Sequence, residues 1–337
     1  MTCSGALWVM SVRALASLAD MGVSCVIYRC TATLRSWSAL QKVENRDLFT
    51  EHCTRIDAVQ CVEWKSGETR GRFMAMRLAW ETLARPQMRE LEAGEVEAGE
   101  SAHHGWLPRG DIRYYGVEAT LDVHSFNLYP GQLSEGGVWV ISRGDGKPSS
   151  VNGIQLGWHI HPGLYKDSHT HFYVAWGIGG SPGKGCFNMV CPGFQKTSIN
   201  SAPGDVIHGN KPTITIRIFK DKFSGDWHVY YGLNSSPKKV GYFPSSLLPG
   251  MIDKPVELRF GGCVFHEKPA PSPPMGNGYI PSGHTAASVS SIKLIDADGM
   301  YHAVNEDLPF YVSRQECYPI SEIDNGRFFY GGPGCFD

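Results

Sequence analysis

The 337-residue sequence lacks any apolar run approaching the roughly 20 residues that a helix needs to cross a bilayer, so no membrane span is expected. It also lacks an excess of either charge. Its 31 basic and 33 acidic side chains leave a formal net charge of -2, and no basic run offers a footprint for a polyanion, which argues against a nucleic-acid partner. Basic residues are also scarce at the N-terminus: Ala6 to Val12 is a short apolar run stopped by Arg13, with no basic segment ahead of it, a poor match to a secretion signal that leaves the compartment open. Residues 1–110 carry no catalytic motif and read as an irregular, partly helical extension. Arg70 to Ala98 has helix-forming composition broken at Pro86. Arg89 to Glu100 is acidic and glycine-broken and reads as an exposed linker, with His103 and His104 solvated beside it.

What the chain does have is glycine (39), proline (21) and aromatic side chains (15 Phe, 14 Tyr, 9 Trp), a composition suited to short strands joined by tight turns. From Asp111 onward such strands follow closely. Gly116–Val123, Gly137–Ser142, Thr213–Phe219, Trp227–Leu233, Pro255–His266 and Ser288–Asp296 each read as strand, most with alternating apolar positions. Lys222 to Asp226 reads as a hairpin link, and Lys268 to Ser282, with five prolines, as a long surface loop. Many strands without helical patterns between them imply an all-β sandwich or barrel over residues 111–337.

The most informative stretch is Val151 to Phe194. In Ile154-Gln155-Leu156-Gly157-Trp158-His159-Ile160-His161, the apolar residues hold one parity and Gln155, Gly157, His159 and His161 the other, as in a strand with one face in a core. Ser168 to Trp176 repeats this, with His169, His171 and Tyr173 opposite Phe172, Val174 and Trp176. Trp158, Trp176 and Trp227 read as core residues. The ten cysteines split into five before residue 62 and five after residue 185. Cys186 with Cys191, and Cys317 with Cys335, read as structural disulfides in an oxidising compartment, leaving Cys263 unpaired. Asn234-Ser235-Ser236 is a glycosylation sequon in a turn-like segment.

Gly157-Trp158-His159-Ile160-His161-Pro162-Gly163-Leu164-Tyr165-Lys166-Asp167 resembles a signature of the neprosin family of plant proteins. Further matches follow in the family's order: Gly185 to Asn188 with Cys191 to Phe194, Val240 to Pro244, Phe260-Gly261-Gly262, Met275 to Gly278, and Phe329 to Gly334. The resemblance covers about residues 112–337. It implies an antiparallel β-sandwich of two sheets and, in the active archetype, a secreted glutamic endopeptidase that cuts after proline at acid pH. Two glutamates across a groove would divide the chemistry, one ionised as general base and one protonated to donate to the developing oxyanion.

This chain departs at both positions. Gln155 stands where the resemblance places the first glutamate, and Cys263 where it places the second. Similar fungal glutamic peptidases use a Gln and Glu pair, so the loss at Cys263 is the more serious. Glu257 shares the parity of Cys263 but lies six residues away, about 20 Å along a strand. Glu118 and Glu267 remain candidates only through tertiary contacts. The resemblance thus implies an extracellular peptidase homologue with lost or impaired hydrolysis, possessing a groove lined by His159, His161, His171 and Tyr173 and binding a peptide or protein without a cofactor, with proline-containing segments as the expected ligand. The alternatives are an active proline-directed endopeptidase that pairs Gln155 with another carboxylate, and a structural wall or defence protein. The alternate histidines could converge on zinc, but without a fourth-ligand pattern, and with a metal-free family site, no metal or cofactor is expected. A Cys263 thiolate acting with a histidine base is a further, less favoured, reading.

Overall fold

A computed structural model of the chain describes residues 98–335 except 110, 180–183, 211, 269 and 283–284. The expected helical segments before residue 98 lie outside the described residues. In chain order the strands are β1 (Ala98–Trp106), β2 (Tyr114–Asp122), β3 (Gln132–Ser142), β4 (Asn152–Ile160), β5 (Thr170–Ile178), β6 (Lys184–Phe187), β7 (Gln195–Lys196), β8 (Thr213–Lys220), β9 (Trp227–Leu233), β10 (Lys238–Phe243), β11 (Glu257–His266), β12 (Ala287–Asp296), β13 (Tyr301–Ala303), β14 (Phe310–Val312) and β15 (Arg327–Tyr330). One short helix, α1 (Pro162–Tyr165), follows β4.

Two antiparallel sheets form a sandwich. The first runs β14-β1-β11-β3-β4-β5-β6, and the second runs β13-β12-β2-β8-β9-β10-β7 with β15 paired to β12. Alternation sets the layers. Val138, Val140, Ile154, Leu156, Trp158, Ile160, Phe172 and Val174 of the first sheet meet Val117, Ala119, Leu121, Ile214, Ile216, Ile218 and Val229 of the second in one buried core. Trp158 and Trp227 are fully buried there, and truncating either to alanine is worth about 3–5 kcal/mol. The β8–β9 link is a tight turn in which the Asp221 carboxylate accepts from the backbone N–H groups of Phe223 and Ser224.

Both disulfides form, Cys186–Cys191 and Cys317–Cys335. The latter closes an 18-residue separation, for which chain entropy gives about 3 kcal/mol. Cys263 is the free cysteine of the described residues.

The structure corrects two readings of the sequence. His103 and His104 are not solvated: they lie in β1, which pairs with β11 along its whole length, and both are buried. Up to Gly105 their strand is built from small and polar residues, so its sequence shows no apolar alternation. The segment Lys268 to Ser282 is not merely a surface loop either, because Met275 reaches the core and bridges to Gly332.

Candidate active-site face

The face of the first sheet that points away from the core holds the chemistry. Register places Cys263 opposite Glu135, and Glu135 opposite His159, across β11, β3 and β4. Two residues along, Gly261, Gly137 and Gly157 stand side by side, and Tyr173 of β5 closes that row. Two residues further, Arg259, Trp139, Gln155 and Ala175 form the next row. The strip without side chains therefore separates Gln155 from the Glu135–Cys263 pair. Glycine is required in it: a Cβ on Gly157 would sit 2.1 Å from the carbonyl oxygen of Gly136. On a flat sheet, two strands and four residues put the Cα atoms of Gln155 and Cys263 about 16 Å apart.

These side chains are buried, Gln155 with 2% of its surface exposed and Glu135, His159, Tyr173 and Cys263 with none. The polar atoms are nevertheless poorly paired. Both Glu135 carboxyl oxygens, Gln155 Oε1, His159 Nδ1, the Tyr173 hydroxyl and Trp139 Nε1 lack a partner of good hydrogen-bond geometry among the described residues. Tyr173 and Trp139 still lie near enough to Glu135 to favour its ionised form, but burial outweighs them and pushes its pKa up to about 8. Burial also raises the Cys263 thiol, and the nearby Glu135 and Glu100 add to that shift. Its Sγ lies 3.8 Å from the carbonyl oxygen of Val264. A thiolate nucleophile is therefore disfavoured. Burial holds His159 well below the usual histidine range, helped by His161 and His171, so it is neutral.

One wall is tied by a polar chain. Asn188 Nδ2 donates to the Tyr165 hydroxyl at 2.7 Å, and that hydroxyl lies 2.8 Å from His159 Nε2. The His159 ring stacks on Tyr173 at 4.1 Å, and Tyr165 stacks on His171 at 3.6 Å. Leu164 of α1 packs with Tyr173 and Phe187. His161 is buried beside His159 and Phe187, whereas His169 is exposed and stands outside this cluster.

The carboxylates considered from the sequence do not join the site. Glu118 is on β2 in the other sheet, bound to Lys293 and Arg217. Glu257 is held by Arg143 and Arg259, which keep its pKa low despite burial. Glu267 lies beyond the end of β11 and is exposed. Glu135 is the functional candidate that sequence reasoning missed. The strand read as Gly137–Ser142 begins at Gln132, and continuing its parity back through Gly137 would have put Glu135 on the face of Trp139. Asn234 is exposed in the turn after β9, and its Oδ1 accepts from the Thr213 N–H at 2.8 Å. A surface cleft on the second sheet, lined by Ser290, Ser291, Glu322 and Arg327 among others, contains none of these groups.

Among solved structures, scytalido-glutamic peptidase with a transition state analog inhibitor is similar at 12% identity, covering 71% of this chain and 100% of that chain with a TM-score of 0.39. SCP-B, a member of the Eqolisin family of peptidases in a complex with the tripeptide Ala-Ile-His, is similar at 11% identity, covering 70% and 98% of the two chains with a TM-score of 0.34. No helix of the described residues is long and apolar enough to cross a membrane. The sequence profile of the Neprosin family matches residues 130–333, more than half of the chain and the whole span from β3 to β15, and the chain belongs to that family.

Proposed function

We propose that this protein is a neprosin-type peptidase homologue that binds extended, proline-containing peptides on the outer face of its first sheet, with glutamic-peptidase hydrolysis lost or impaired. The observation that carries this reading is the set of ill-paired polar atoms around the glycine strip. The Glu135 carboxyl oxygens, Gln155 Oε1, His159 Nδ1 and the Tyr173 hydroxyl are buried polar atoms without good partners among the described residues, and a sheet face that served only as packing would leave such atoms unpaired at about 1–3 kcal/mol each. That cost argues against the purely structural alternative. Peptide entry requires these buried groups to become accessible.

Hydrolysis fails on acid–base grounds. The archetypal pair needs one ionised carboxylate to take a proton from water. At acid pH Glu135 holds its own proton, Gln155 has none to exchange, and the Cys263 thiol stays neutral. Extracellular location is part of the same proposal, supported by the two disulfides and by the exposed sequon at Asn234.

The test is incubation of the purified chain with a proline-containing peptide from about pH 3 to 7, the range in which carboxyl pairs titrate, with binding followed in parallel by calorimetry. Saturable binding without cleavage is expected. Cleavage after proline that vanishes in Gln155→Ala would overturn the loss of hydrolysis. A second reading has one specific observation in its favour: Glu135 stands directly across from the Cys263 position and brings a carboxyl to the same face as Gln155. Under that reading cleavage is present in the wild type and abolished in Glu135→Gln.

A further inference from the structure

Asp167 lies in the bend after α1, His169 just before β5 and His171 within it, and the bend brings the three side chains together. Their ligating atoms lie within 4.8 Å of one another. His171 Nδ1 is 2.7 Å from the carbonyl oxygen of Gly204, which can only accept, so that nitrogen carries a proton. In the neutral ring Nε2 is then a bare lone pair, and it faces Asp167 Oδ1 at 3.1 Å. Two acceptors held that close require a proton or a cation between them.

The spacing fits a cation. Four-coordinate zinc with bonds of about 2.0–2.1 Å sets neighbouring ligand atoms about 3.3–3.4 Å apart. The separations from Asp167 Oδ1 are 3.1 Å to His171 Nε2 and 3.5 Å to His169 Nδ1, on either side of that value. The Gly204 carbonyl is the kind of outer partner that fixes the tautomer and ring orientation of a metal-bound histidine. Tyr165 stacks on the face of the His171 ring, and the Asp167 carboxylate is steadied by the His169 backbone N–H at 2.8 Å. His171 is nearly buried while His169 is 69% exposed, which leaves an entry path from solvent.

We propose that Asp167, His169 and His171 form a binding site for a divalent transition cation of the zinc class, with water completing its shell. The site lies on the same outer face as Glu135, two strands along the row in which His171 pairs with His159, and it touches the groove wall mechanically, because His171 stacks on Tyr165 and Tyr165 is bonded to His159. A bound cation would therefore stiffen that wall of the proposed peptide groove.

The test uses the full chain, stripped of metal by a chelator and titrated at neutral pH with cobalt(II), followed by displacement with zinc. One equivalent should bind, with the visible absorption of low-coordinate cobalt, and zinc should quench it. His169→Ala removes an exposed side chain and leaves the buried packing intact, so it carries the test; affinity should fall at least 10-fold in it and in Asp167→Asn, with near-ultraviolet circular dichroism unchanged. Stoichiometric binding should also raise the thermal midpoint of the wild type alone. Absence of saturable cobalt binding by the wild type would overturn the proposal in favour of a simple protonated His171–Asp167 ion pair. Binding of equal strength in the wild type, His169→Ala and Asp167→Asn would overturn it as well.

Discussion

Glu135 and Cys263 face each other directly across β3 and β11. Directly paired positions in antiparallel strands hold their Cα atoms about 4.5–5.5 Å apart, so a carboxyl stands one strand away from the position where the family resemblance expects a glutamate. Restoring both acids, as Gln155→Glu with Cys263→Glu, should create acid proteolysis of a proline-containing peptide, by at least about 100-fold over the wild type if general acid–base chemistry is what was lost. Glutamate at position 263 would then sit beside Glu135, and two adjacent carboxyls push one pKa up. Adding Glu135→Gln should therefore move the rate maximum to lower pH. Chromatographic assay of the cleavage products across pH 3 to 7 checks both outcomes, and no gain in either variant would mean that the face differs in more than these two residues.

The position of Glu135 also sets a pH dependence of stability. Its folded pKa is raised by burial to about 8 from the ordinary glutamate value of 4.5. Between those values the folded chain keeps a proton that the unfolded chain has released, so stability falls as pH rises through that window, by about 1.4 kcal/mol per pH unit. Glutamine mimics the protonated acid without titrating. Glu135→Gln should match the wild type near pH 4.5 and exceed it by about 3 kcal/mol at pH 7. Urea unfolding at the two pH values reads this directly, and equal midpoints at pH 7 would show that Glu135 is ionised in the folded state.

What the sequence made legible depended on alternation. Thr213–Phe219 and Trp227–Leu233 each carry apolar residues on one parity, and the observed strands β8 and β9 agree with them to within one residue. The parity of Gln155 and His159 was equally readable, because Leu156, Trp158 and Ile160 fix the opposite face in the core. β1 was hidden because its burial comes from pairing with β11 and β14, while its own residues up to Gly105 are small, acidic or histidine. Glu135 was hidden for a related reason. Gly136 and Gly137 weaken the strand signal, and the register of β3 against a strand more than a hundred residues later is a tertiary fact that no local pattern encodes.

The Tyr165 hydroxyl is the hinge of the polar chain along the groove wall. Tyr165→Phe keeps the ring that stacks on His171 but leaves Asn188 Nδ2 and His159 Nε2 without their shared partner. The variant should lose about 1–3 kcal/mol, the cost of orphaned buried polar groups. It should bind peptide more weakly than the wild type if this wall forms part of the groove, and calorimetry with the same proline-containing peptide measures that. Loss of stability with unchanged peptide affinity would separate the wall from the binding surface.

Acidification should act through the buried histidines in the opposite sense to Glu135. Burial depresses both His103 and His159 well below the ordinary value of 6.5, with Arg259 adding to the shift at His103. Below pH 6.5 the unfolded chain gains protons on these rings that the folded chain refuses, so each histidine lowers stability as pH falls, by about 1.4 kcal/mol per pH unit. Between pH 6.5 and 4.5 Glu135 works against them, since acidification there favours the state that holds its proton. Two histidines outweigh one carboxyl, so these three groups together lower wild-type stability on going from pH 6.5 to 4.5. Replacing both rings, as His103→Gln with His159→Gln, removes their share and should leave a smaller loss of stability on acidification than the wild type shows, since His124, His228 and Glu257, whose pKa values are also lowered, still act in the same sense. Denaturant midpoints at the two pH values decide it: if the double variant loses as much on acidification as the wild type, then His103 and His159 are protonated in the folded chain.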